Sequence, residues 1–403
     1  MSRIFKLAAS FCAALVVSAC GGGQSPAPAG EQLLAAVQVV APNTSNAGRI
    51  ASGDGHTLAV RTDGTVFGWG RNDSGQIGSA GLYVQLTPVT VTGLSSVVAV
   101  KAGYSHSLAL SRDGVVLAWG NNASGQLGRG GNSTATPTPV PGMSHVIAIA
   151  AGHVNSAALA SNGTVWGWGS FNGANQPTPT PVAGLSGTVV DIASGGGRVF
   201  AVKADGTVWG WGNNSGYALG VGTNGATVAR AVQIPGIDHV KAIVTTVFHT
   251  VALKTDGTVW VWGANYWGQL GMDGVVEAPR PIQVYGVWNI KSIAAGNYNT
   301  VAIDVSGKAW TWGSNWMGQL GQGRADFTMH TTPIQVAGVS DAAAASVGGM
   351  FIEYLNSDGS VIGAGANANG QLGIGNANVA YSLTKTVGVA GQGYLDLGRA
   401  LPR

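Results

Sequence analysis

Cysteine is nearly missing from this 403-residue chain: Cys12 and Cys20 are the only two. Beyond residue 20 there is no thiol, which excludes a disulfide framework, a thiolate nucleophile and a cysteine metal site from the body of the protein. Charge is scarce too, with Asp, Glu, Lys and Arg making up 9% of the residues. Without Arg3 and Lys6 the basic residues number 18 against 17 acidic ones. Arg61, Arg71, Arg112 and Arg129 are scattered over two repeats and form no cluster. Proteins that neutralise phosphates gather Lys and Arg, so nucleic acid is not an expected partner. No long segment has a helical period. HExxH, P-loop and Gly-x-Ser-x-Gly patterns are absent, and no nucleophile–base pair stands out. The expectation is a protein that is not an enzyme and carries no cofactor and no metal.

The first twenty residues, MSRIFKLAASFCAALVVSAC, place Arg3 and Lys6 ahead of an uncharged stretch from residue 7 to 19. That pattern reads as a secretory signal, too short to span a membrane. Val17-Ser18-Ala19-Cys20 resembles the lipobox of bacterial lipoproteins, with Val17 where Leu is commonest. The resemblance implies a signal peptide at 1–19, acylation of Cys20, and a Gly/Pro/Ser/Ala-rich flexible tether over 20–36. Several hydrocarbon tails together anchor a protein stably. Gly21, rather than Asp, after the cysteine implies an outer-membrane lipoprotein, periplasmic or surface-exposed, or a cytoplasmic-membrane anchor where only one membrane exists.

Residues 37–403 are expected to form one repetitive domain. A Trp-Gly glycine recurs seven times, at Gly70, Gly120, Gly169, Gly212, Gly263, Gly313 and Gly365, the last after Ala364 instead of Trp. A second glycine stands six residues before each: Gly64, Gly114, Gly163, Gly206, Gly257, Gly307 and Gly359. "HSLALSRDGVVLAWG" alternates apolar residues on either side of Asp113-Gly114, a hairpin signal. Proline-rich segments such as "TPTPVPG" (136–142) suit outer edges, because proline removes a ladder donor. Pairs two apart, such as Trp166/Trp168 and Trp209/Trp211, share one strand face, and glycines occupy the other. The indoles are therefore assigned to packing. Several short strands per fifty residues, seven times over, predict an all-β, seven-bladed β-propeller.

The stretch "AGYSHSLALSRDGVVLAWGNNASGQLG" (102–128) resembles the regulator of chromosome condensation repeat family. That resemblance implies a seven-bladed propeller over roughly 51–373, with the flanks closing the ring. The third unit departs from it by lacking GQLG, the fourth by having GYALG, and the seventh by lacking its tryptophan.

Two columns of the repeat bear on function. His56, His106, Asn155, Arg198, His249, Asn299 and Phe351 occupy one polar position before the hairpin strand. One per repeat, they suit hydrogen bonds to neighbouring loops better than a metal. Asp63, Asp113, Asp205, Asp256 and Asp358 belong to hairpin turns. The second column lies inside "Asn-x-x-Gly-Gln-Leu-Gly". The x pair is Asp73-Ser74, Ala123-Ser124 and Ala368-Asn369 in three units, but Tyr266-Trp267 and Trp316-Met317 in units five and six. The repeat does not require that bulk. Rigid aromatics are common interface anchors, so Tyr266, Trp267, Trp316 and Met317 are the candidate partner-binding residues. Trp288, in the segment between those units, joins them.

The main functional expectation is a lipid-anchored, monomeric propeller serving as an interaction or adhesion scaffold in a bacterial envelope. Its partner would be an unknown envelope protein or glycan. Resemblance implies alternatives: an inhibitor of a secreted enzyme such as a beta-lactamase, or a guanine-nucleotide exchange factor for a small GTPase. The latter is disfavoured because the chain reads as exported and lacks a basic tail. A polysaccharide-binding or polysaccharide-active propeller is a further alternative, and catalysis there would need two carboxylates converging on one face.

Overall fold

A computed structural model describes residues 48–399, apart from 172, 173 and 226. The described residues form seven four-stranded antiparallel sheets, each built from four consecutive strands. The first blade comprises Ile50–Ser52, His56–Val60, Val66–Arg71 and Val84–Thr90. Blades 2 to 7 repeat the plan at 97–139, 146–181, 189–233, 240–283, 290–335 and 342–385. The fold is the expected all-β, seven-bladed β-propeller. The proline-rich segments are outer strands, as at Thr134–Pro139 and Ala174–Pro181.

Local chemistry makes each hairpin. The Asp63 carboxylate accepts the Thr65 N–H at 2.8 Å, and Gly64 takes φ +88° in the turn. The Trp-Gly glycine is required for a different reason. Gly120 has φ +98°, and a Cβ there would lie 2.6 Å from the Ser105 carbonyl oxygen. The indoles of Trp69, Trp119, Trp168, Trp211, Trp262 and Trp312 are fully buried between blades.

The repeated "GQLG" phrase stitches blades together. The Trp119 indole N–H in blade 2 donates to the Gln76 carbonyl of blade 1 at 2.9 Å, and the Ser107 hydroxyl donates to the same oxygen at 2.7 Å. Trp168 and Ser156 repeat this on Gln126, and Trp312 and Thr300 on Gln269. Trp262 and Thr250 use the Ala218 carbonyl of the "GYALG" unit. The histidine column belongs to the same seams. Nε2 of His56, His106 and His249 lies 3.1, 2.9 and 2.9 Å from the hydroxyls of Ser107, Ser156 and Thr300 in the next blade. Burial drives all three imidazoles down to a pKa of about 3, so they are neutral at ordinary pH. Arg198 fills the column in blade 4, donating to the carbonyls of Asn213 at 2.8 Å and Thr246 at 2.6 Å.

The departures from the repeat have local consequences. Blade 3 lacks GQLG, and Trp211, which faces that loop, has an indole N–H with no partner among the described residues. Blade 7 exchanges large and small residues across strands. In the other blades an alanine pairs with a larger residue, as in Ala158↔Trp166, whereas here Tyr354 pairs with Ile362. Likewise Ser156↔Trp168 becomes Ile352↔Ala364. Packed volume is redistributed and not lost, so the blade forms without its tryptophan.

The ring closes between blades 7 and 1 without strand exchange. Trp69 donates to the Gln371 carbonyl at 2.9 Å. Leu395 and Leu397, beyond the last strand, pack with Ile50, Ala59 and Phe67 of blade 1. The buried Arg49 guanidinium donates to the carbonyls of Leu397 and, at 3.1 Å, Gly398. The C-terminal flank thus closes the ring as expected. The N-terminal flank before residue 48 lies outside the described residues.

Candidate partner-binding face

In each blade the turn after the inner strand and the loop after the third strand come to the same end of the sheet, because the strands alternate in direction. Seven such turns and seven such loops make one face of the ring, called the upper face here. The loops keep one backbone scaffold whatever their side chains. In blade 5, Asn265 Nδ2 donates to the carbonyls of Met272 and Val275 at 3.1 and 2.6 Å, its Oδ1 accepts the Leu270 N–H at 2.8 Å, and Gln269 Oε1 accepts the Trp267 N–H at 2.9 Å. Blade 1 makes the corresponding bonds with Asn72 and Gln76 around Ser74. In blade 5 the x-x side chains do none of this work.

In blade 5 they build an aromatic cluster. The Trp267 ring lies 5.1 Å from Phe248, 4.8 Å from Tyr298 and 5.9 Å from Tyr266. Phe248 and Tyr298 come from the inner-strand turns of blades 5 and 6. Tyr266 is 48% exposed, and its hydroxyl donates to Glu277. That bond holds the phenol above its ordinary pKa. Trp267 and Trp316 are half-buried, while Met317 is 37% exposed. The blade 5 loop abuts blade 6, where the Thr331 hydroxyl donates to Asp273 at 3.3 Å. Tyr266, Trp267, Trp316 and Met317 therefore share one face. Trp288 does not join them. It precedes the inner strand Ile290–Ala295, whose far end reaches the upper face, so a six-residue strand, roughly 20 Å long, separates them. Trp288 is 65% exposed on the lower face, 6.5 Å from Trp310.

Three residues that the repeat pattern did not single out stand on the same upper face: Asp54, Tyr104 and His153, on the inner-strand turns of blades 1 to 3. The Tyr104 and His153 rings are 4.3 Å apart. Burial raises the Asp54 pKa and lowers that of His153. Their column in the repeat reads Asp54, Tyr104, His153, Gly196, Val247, Asn297 and Gly349, beside positions where glycine and histidine recur. That variability was the available signal. Among the described residues no group of three or more His, Cys, Asp or Glu is placed to hold a metal.

This is a closed ring of seven repeat-built blades with loop-borne aromatics on one face. Sequence comparison identifies its family. The regulator of chromosome condensation (RCC1) repeat model matches residues 63–110, 113–159, 205–253, 256–303 and 306–352. A second model of the repeat matches 49–76, 97–126, 189–217, 240–269 and 290–319. The chain belongs to the RCC1 repeat family. Among solved structures, it is similar to Prp20p from Saccharomyces cerevisiae, described with its binding properties to Gsp1p and histones (24% identity, TM-score 0.72, covering 80% of this chain and 86% of that chain). It is also similar to yeast RCC1 (Prp20) with Kap60 bound (23% identity, TM-score 0.73, covering 85% and 86%). A third likeness is to human WBSCR16 (25% identity, TM-score 0.69, covering 76% and 86%).

These comparisons correct several expectations. The similar proteins are from yeast and human, and the partners recorded for Prp20 are Gsp1p, histones and Kap60. They overturn the reading of a bacterial outer-membrane lipoprotein that serves as an adhesion scaffold for an envelope protein or glycan. The signal peptide and the acylated Cys20 fall with it; those residues, like the tether expected over 20–36, lie outside the described residues. The exclusion of an enzyme, which rested on missing motifs, is withdrawn on the same likeness. The exchange-factor alternative, disfavoured for want of a basic tail, is better supported than the main reading.

Proposed function

We propose that this chain is an RCC1-type regulator that binds a small GTPase of the Gsp1p kind across its upper face and promotes release of the bound nucleotide. The observation that carries the reading is the aromatic cluster of Tyr266 and Trp267 with Phe248 and Tyr298. The loop backbone is held without these side chains, yet they stand half-exposed beside Trp316 and Met317 on one face. Aromatic anchors of this kind dominate protein interfaces. The likeness to Prp20p, a Gsp1p-binding propeller, supports the choice of partner.

Exchange by such a surface needs no covalent chemistry. A partner held most tightly in its nucleotide-free state loses nucleotide faster, because binding energy favours that state. The test is a calorimetric titration of the full chain with nucleotide-free and GDP-loaded Gsp1p. The reading predicts saturable binding, tighter for the nucleotide-free form. No binding of either form overturns it.

A further inference from the structure

The seven inner-strand turns converge on the mouth of the central channel, a cavity of about 110 Å³ lined by Asp54, Tyr104, His153, Ser194, Val247 and Asn297, among others. Sites for nucleotides and other small ligands occupy several hundred Å³ or more, so this mouth has room for the head of one side chain. Its chemistry is lopsided. Asp54 is the one carboxylate among the lining residues. The nearby Arg71 is committed to Asp73 through Nε at 2.7 Å and Nη2 at 2.5 Å; its charge and the Tyr104 hydroxyl favour the Asp54 carboxylate, but among the described residues Asp54 forms no ion pair. Burial lowers the His153 pKa, which disfavours its charged form. Ser194 is 7% exposed, and its buried Oγ has no hydrogen-bond partner among the described residues. Val247 and Asn297 form the opposite wall, joined by a 3.2 Å bond from the Val247 N–H to Asn297 Oδ1.

We propose that the mouth receives a single basic side chain, arginine or lysine, from the partner, with the Asp54 carboxylate as its counter-charge and the Ser194 hydroxyl as a second acceptor. An anion would meet the Asp54 carboxylate, with the neighbouring Arg71 already engaged by Asp73, and among the described residues no metal-binding set is present. The Tyr104 ring, 4.3 Å from that of His153, adds an aromatic lining of the kind whose face attracts cations. The Phe248–Trp267 cluster starts one residue outward from Val247 and would cover an apolar residue flanking the basic one. Burial in the mouth strengthens the charge pair relative to an exposed one.

This inference rests on the reading of the upper face as a protein-binding surface, but its test needs no GTPase. The full chain is titrated with a fluorescein-labelled peptide, Ala-Leu-Arg-Leu-Ala-amide, and with the same peptide carrying citrulline, which keeps the shape of arginine and removes its charge. Polarisation should show the arginine peptide binding at least tenfold more tightly. Asp54→Asn should abolish that difference with the melting temperature unchanged, and Ser194→Ala should reduce it. Equal affinities for the two peptides, no saturable binding of the arginine peptide, or discrimination that survives Asp54→Asn would each overturn the proposal. Gsp1p binding that fails while the arginine preference holds would overturn the GTPase reading alone.

Discussion

The indole N–H of Trp119 in blade 2 is bonded at 2.9 Å to the main-chain carbonyl of Gln76 in blade 1. Trp211, its counterpart in blade 4, is as deeply buried, but its indole N–H has no partner among the described residues. The two sites make a matched pair. Trp119→Phe removes a buried hydrogen bond and some packing, and should cost about 1–3 kcal/mol. Trp211→Phe removes the packing alone and relieves an unsatisfied donor, so it should cost clearly less. Chemical denaturation of the two variants side by side checks the order. Equal losses would mean that the seam bond contributes nothing measurable.

Blade closure should be cooperative. Leu397 lies beyond the last strand, yet it is fully buried against blade 1, and the Thr62 N–H donates to its carbonyl at 3.0 Å. Leu397→Ala should destabilise the ring by about 2–5 kcal/mol. Truncation after Lys385 should lower the melting of the whole domain in one transition. A separate low-temperature transition, with the main melt unmoved, would show that the tail is not part of the closure.

Stability should peak near pH 6.5. The unfolded histidines titrate near 6.5, whereas His56, His106 and His249 do so near 3 in the fold. Between those values the unfolded chain binds more protons, so stability falls as pH drops. Glu353 works the other way. It occupies a position that holds Leu58 and Leu108 in blades 1 and 2, accepts a 3.2 Å bond from the Ser52 hydroxyl, and is pushed by burial from 4.5 up to about 8. The folded state therefore holds the extra proton, and stability declines as pH rises towards 8. Asp191, raised by burial to about 6, adds to the decline below that pH. Glu353→Gln should remove most of the loss between pH 6.5 and 8. Melts from pH 4 to 9 decide it, and a variant with the same alkaline slope as wild type would reject the assignment.

The blade was legible because its determinants are local. Asp63-Gly64 turns the hairpin, the Trp-Gly strand fills the seam, and each recurs at a spacing the chain itself displays. Blade 7 looked irregular because compensation crosses strands: Tyr354 answers Ile362, and Ile352 answers Ala364. A linear pattern cannot show this until the register is known. Trp288 looked like a neighbour of Tyr266 and Trp316 because it stands between them in sequence, but the strand at Ile290–Ala295 puts it at the opposite end of the blade. The channel mouth was hidden for the converse reason. Asp54, Tyr104 and His153 are about fifty residues apart, share no residue type, and meet only when the ring closes.

The half-buried Trp267 ring separates interface from scaffold. Its three aromatic neighbours lie at the surface, and the loop backbone is held by Asn265 and Gln269. The most direct test is the rate at which Gsp1p releases a fluorescent guanine nucleotide in the presence of the full chain or its Trp267→Ala variant. The wild-type chain should accelerate release, and the variant should need at least thirtyfold more protein for the same effect, as expected on losing about 2 kcal/mol at an interface anchor, with its melting temperature unchanged. Release that the wild-type chain does not accelerate, or that the variant accelerates equally well, would contradict the account.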